Sequence, residues 1–129
     1  LRTGVSLLSH LDPDCQDLSA AGNLRKAKRL LAKVPTIIGQ MQNAIDGRPF
    51  VAPQTGGDPG LSHAANLMYL MTGEKPQAEV ARVMDVSLIL YAEHDYNAST
   101  FTCRVISGTL SDMHGAVTGA GMETANVRQ

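Results

Sequence analysis

Glu93, His94 and Asp95 stand together at the end of a strongly apolar stretch, and they are the densest group of proton-transfer and donor side chains in the chain. Helical spacing puts Met84, Ser87, Tyr91 and His94 on one face. A polar triplet closing a buried helix must be solvated, paired or functional. The partial negative charge of a helix C-terminus favours the protonated imidazole, which could hold a carbonyl or carboxylate. An ordinary capping histidine is the competing reading.

The other signals are weaker. His10, His63, His94 and His114 are dispersed, with no HExxH pair. Cys15 and Cys103 are far apart with no CxxC, which argues against zinc and against a disulfide scaffold, so no metal is expected. Asp12, Asp14 and Asp17 have part of a calcium loop's spacing, but the glycine and closing glutamate are missing, and a capped turn fits better. GGDPG at 56–60 has no following Lys-Ser/Thr and no preceding strand, so it reads as a loop rather than a phosphate cradle. Asn97-Ala98-Ser99 matches a glycosylation sequon, without meaning unless the chain is secreted. Gly115 and Gly119 make a GxxxG step, which in polar surroundings implies close helix packing.

These residues must be positioned by helices. Residues 1–10 suit a short helix or turn, and LDPDCQDLSAAGN reads as a loop. From Leu24 to Ile45 apolar residues recur every three or four positions, with a kink or break expected at Lys33–Val34 before Pro35 and a stop at Gly47. Ser62 caps a short helix that ends at Gly73. The longest clear helix is expected from Gln77 to His94. It is apolar nearly all round, through Val80, Val83, Met84, Leu88, Val86, Ile89 and Leu90, and is therefore expected to be buried. A further helix starts near Ser99 or Thr100, and Ser111 caps a last one. No period-two pattern survives, so the expectation is an all-α fold of about five helices in a single domain over 1–129.

The 129 residues are 43% hydrophobic and 18% charged, which fits a globular chain with one modest core. Net charge is −1. The basic run Arg25, Lys26, Lys28, Arg29 and Lys33 is read as one solvated helix face, so no nucleic-acid partner is expected. No apolar run is long enough to span a membrane and no signal peptide opens the chain, which makes the cytoplasm, or a mitochondrial matrix, the expected compartment. The first residue is Leu, as in a fragment or a processed product.

VSLILYAEHDYNASTFTCRVISGTLSDMHGAVTGA resembles the central segment of bacterial-type citrate synthases and 2-methylcitrate synthases. LRTGVS, HAANLMYLMTGEKP and especially GEKP at 73–76 resemble the same family in the same order, and the likeness runs to about Ala120. It implies a piece of that family's large helical domain, with the small domain absent. The implied reaction is a Claisen condensation in which acetyl-CoA, or propionyl-CoA in the methylcitrate branch, is deprotonated next to its thioester. The enolate attacks oxaloacetate, and hydrolysis releases CoA. By resemblance His94 matches the oxaloacetate-binding histidine and Asn97 belongs to the same substrate loop.

No catalytic residue is implied in this chain. The family's G-P-x-H-G-G-A-N loop, its catalytic aspartate and its substrate arginines are not matched, and Arg82 and Arg104 read as helix-surface residues. General-base and enolate-stabilising groups contribute roughly 10²–10⁴-fold each, so the chain alone is expected to be inactive. The expectation is a synthase fragment that binds no cofactor, with the acyl-CoA as the family's co-substrate. It would form a homodimer through the helices of 99–120 or act with a second polypeptide carrying the missing half. A non-catalytic dimerising relic and a dicarboxylate-binding module are the alternatives. The sequence leaves citrate against 2-methylcitrate specificity open.

Overall fold

The structure, a computed structural model, describes residues 1–53, 60–93 and 95–121. His94, most of the glycine-rich loop and the tail after Gly121 fall outside the described residues. Six helices and no strand are present among those described: α1 Arg2–Leu11, α2 Ala20–Ile45, α3 His63–Thr72, α4 Ala78–Tyr91, α5 Ala98–Gly108 and α6 Met113–Ala120. The chain divides into two compact units. One comprises Leu1–Leu31 with the residues from Asp95 onward, the other Ala32–His94.

In the first unit α6 packs on α1 and α5. Val5, Leu30, Ala116 and Ala120 are buried there, together with the polar Asp12, Lys26 and His114. Small residues let α6 approach closely: a Cβ on Gly119 would overlap the tip of Ile106. The GxxxG step is therefore used inside the chain, as close helix packing predicts. α6 is capped by Asp112, whose Oδ1 accepts from Gly115 N at 3.0 Å, and not by Ser111 as the sequence suggested. Asp is at least as good a cap as Ser, and the position one residue later has the extended backbone a cap requires.

In the second unit α3 packs on α4 and presses on α2. Ser62 Oγ accepts from Ala65 N and Gly73 ends α3 in the left-handed conformation, both as expected. Gly39 lies against Leu70, where an added Cβ would stand 2.6 Å from the Leu70 Cβ and 3.0 Å from its backbone. Asn43 is 1% exposed, and its Nδ2 donates to Leu70 O at 2.8 Å.

Three expectations are corrected. Of the kink or break expected before Pro35, the break is absent: α2 runs on through the proline, although it cannot donate to the Leu31 carbonyl, beside which the division between the units falls. α4 ends at Tyr91, three residues before the expected limit. Nor is α4 buried: none of its residues is, and Val83, Ile89 and Leu90 are each more than 60% exposed. The apolar pattern was read correctly, but the chain itself supplies cover for only part of it.

Candidate functional site

α5 begins at Ala98 because Asn97 has extended backbone and its Oδ1 accepts from Thr100 N at 2.6 Å. Just before it, Asp95 and Tyr96 have φ of 56° and 49°, two consecutive non-glycine residues in the left-handed region. Aspartate tolerates that conformation, whereas a tyrosine there is uncommon. Tyr96 is fully exposed, so burial of its ring does not hold the turn. Strain of this kind persists where a loop is shaped for a purpose. The sequence-derived site residues thus divide. Asn97 is a half-buried helix cap at the end of a strained turn, and His94 lies outside the described residues.

A second concentration of polar chemistry was missed in the sequence. The loop after α1 folds back on itself: Asp12 Oδ1 accepts from Asp14 N, and Asp17 Oδ1 accepts from Ser19 N, both at 2.9 Å. Ser19 Oγ accepts from Gly22 N and caps α2. Arg29 then grips Asp12 with two hydrogen bonds, Nε to Oδ2 at 3.0 Å and Nη2 to Oδ1 at 2.5 Å, and also reaches Asp14. Arg25 makes the same two-pronged contact with Asp14 and touches Asp17. The expected capped turn is present, but as one side of an ion-pair network.

The basic run is accordingly not one solvated face. Lys26 is completely buried, and its Nζ donates to the carbonyls of Asp17 at 2.7 Å and Cys15 at 3.3 Å. The hydrogen bond from Arg29 holds Asp12 below the ordinary carboxylate range, and Arg25 with Arg29 depresses Asp14 further. Asp17 is lowered chiefly by its bonds from Ser19.

His114 fills the space beside this network with 1% exposure. Its Nε2 lies 3.4 Å from Asp12 Oδ2 and its Nδ1 3.6 Å from Asp112 Oδ1, while Nδ1 has no hydrogen-bond partner. Cys15 comes close to both His114 and Asp112. Burial, followed by the charge of Asp112, pushes its thiol pKa upward. Linear spacing gave no sign of this group, because ninety-six residues separate Cys15 from the cap of α6. Cys103, half-buried in α5, is a second free thiol.

The chain matches the family "Citrate synthase, C-terminal domain" over residues 1–124. It is 42% identical over 120 residues to a citrate synthase of Heyndrickxia coagulans, covering 93% of this chain and 31% of that protein. It is 43% identical over 120 residues to a 2-methylcitrate synthase of Mycobacterium tuberculosis, again over 93% of this chain and 29% of the relative. The crystal structure of citrate synthase from Pyrobaculum aerophilum superposes with a TM-score of 0.82 at 34% identity, covering 92% of this chain and 31% of that one. That of Thermotoga maritima gives 0.67 at 28%, over 92% of this chain and 29% of that one. The chain thus spans about 31% of the length of such relatives. Across that span, the all-helical fold, the family match and the two groups of relatives agree: the chain belongs to the citrate synthase family.

Proposed function

We propose that this chain is the oxaloacetate-side portion of a citrate or 2-methylcitrate synthase. In this reading His94 donates a hydrogen bond to the oxaloacetate carbonyl or carboxylate, and Asn97 fixes the turn from which it does so. The identity of about 40% to proteins of both names, over 93% of the chain, carries the proposal. The strained pair Asp95–Tyr96, directly followed by the Asn97 cap, supports it: a backbone held out of its ordinary wells beside the histidine is what a shaped substrate loop requires.

The reaction served is the Claisen condensation of acetyl-CoA or propionyl-CoA with oxaloacetate. This chain contributes substrate holding, and the proton abstraction and enolate stabilisation come from elsewhere in the family's active site. The exposed apolar positions on α4 and α5 support a partner. On α5, Phe101, Val105 and Gly108 follow at helical spacing; the first two are exposed, and a Cβ on Gly108 would meet nothing within 4 Å. We propose this face, rather than the small residues of α6 that are already in use, as the homodimer contact within the stretch 99–120.

The test is release of CoA by the purified 129-residue chain supplied with acetyl-CoA or propionyl-CoA and oxaloacetate. The chain alone is expected to release none. Turnover that disappears in His94→Ala would overturn the division of labour and place catalytic groups in this chain.

A further inference from the structure

We propose that Cys15, Asp112 and His114 form a binding site for Zn²⁺, built where the loop after α1 meets the start of α6. One ligand atom from each residue lies within 4.8 Å of the other two. Ligands of a tetrahedral zinc, at bond lengths of about 2.0–2.3 Å, stand roughly 3.3–3.7 Å apart, so closure asks for shifts of about 1 Å. All three residues belong to the same compact unit.

The orphaned nitrogen of His114 points independently to a ligand. The side chain is 2% exposed, yet Nδ1 has no hydrogen-bond partner and faces Asp112 Oδ1 at 3.6 Å. On its other side the ring sets Nε2 against Asp12, a carboxylate itself pinned by Arg29. A carboxylate beside the far nitrogen is the usual support for a zinc-bound imidazole, and Asp12 stands 3.4 Å from Nε2 in that position. Asp112 spends Oδ1 on capping Gly115, which leaves its second oxygen to ligate.

Thiolate, imidazole and carboxylate together select Zn²⁺ over Mg²⁺ or Ca²⁺, which prefer oxygen alone. The fixed charges agree: Asp12, Asp14, Asp17 and Asp112 outnumber Lys26, Arg25 and Arg29 by one. Binding replaces the thiol proton of Cys15 with the metal and releases that proton to solvent. Three protein ligands leave the fourth position to water. The alternative is a His114 side chain that is only packed between Asp12 and Asp112, with no ligand.

The chain is stripped with chelator and titrated with Co²⁺, then with Zn²⁺. One equivalent of Co²⁺ should give a thiolate charge-transfer band that Zn²⁺ abolishes. Cys15→Ser should remove the band and weaken Zn²⁺ at least about 100-fold, since loss of a mere supporting residue already costs about 10–100-fold. Absence of the band, or its survival in Cys15→Ser, overturns the proposal and leaves His114 as a packed residue between two carboxylates. Alkylation of the unaltered chain decides the matter even if that variant does not fold. Zn²⁺ should slow modification of Cys15 at least tenfold and leave Cys103 unchanged, and a Cys15 rate that is the same with and without Zn²⁺ would overturn it.

Discussion

Lys26 and Asp12 are buried charges, and the chain holds them by surrounding each with hydrogen bonds. Removing Lys26 as Lys26→Ala takes away the packing of its stem and strands two carbonyls. We expect a loss of about 2–4 kcal/mol in urea unfolding, and a change under about 1 kcal/mol would contradict the buried role. Asp12, Asp14 and Asp17 bind protons more weakly in the folded chain than in the unfolded one. Their contribution is therefore complete above the ordinary carboxylate range near pH ~4 and drains away as pH falls through the lower folded-state values. Thermal melts followed from about pH 6 to about pH 2 should show the midpoint falling, less steeply in Asp12→Asn; parallel curves for the two proteins would contradict it. None of this network was legible in the sequence. Acidic residues at alternate positions look like a solvated turn, and lysines at helical spacing look like a solvated face. Only the fold-back of the loop onto α2 sets one against the other. His114 was equally silent, since its partners Asp12 and Cys15 are distant in sequence.

Helix boundaries were legible where a local rule decides them. Ser62 and Gly73 bracket α3 as their types dictate, and α5 opens within two residues of the expected start. One miss has a tertiary cause. α2 continues past Pro35, which lies buried in the helix, because one lost hydrogen bond can be offset by packing. α4 stops at Tyr91, with Ala92 still in the right-handed region as its C-cap, and no glycine or proline marked that end in the sequence. Gly39 gives a test at this scale. In an exposed helix Gly→Ala gains about 1 kcal/mol, but at Gly39 the new methyl meets the Leu70 Cβ and backbone. Gly39→Ala should therefore cost about 1–3 kcal/mol. Gly119→Ala meets only the movable tip of Ile106 and should cost less. A stabilised Gly39→Ala would refute the close approach of α2 and α3.

Across the whole molecule, the all-α class and the family were readable from the AEHDYNASTF stretch and the segments around it. What periodicity could not say is which apolar helix faces the chain itself leaves uncovered. α4 carries the apolar pattern of a buried helix and yet is exposed here, as are Phe101 and Val105 on α5. Large exposed apolar faces mark sites of association or ligand binding, and the homodimer proposed above uses the one on α5. Sedimentation should find the chain dimeric at micromolar concentration, with Phe101→Asp shifted toward monomer; a monomeric unaltered chain would contradict the proposed face. No helix among the described residues is long and apolar enough to cross a membrane, so these faces are not read as spans. The proposed holding of oxaloacetate by His94 is tested most directly by calorimetric titration of oxaloacetate into the chain and into His94→Ala. Saturable heat should appear with the unaltered chain and weaken about 10–100-fold in the variant, the worth of one hydrogen bond to a charged group. No heat at millimolar ligand, or equal affinity in both proteins, would contradict it.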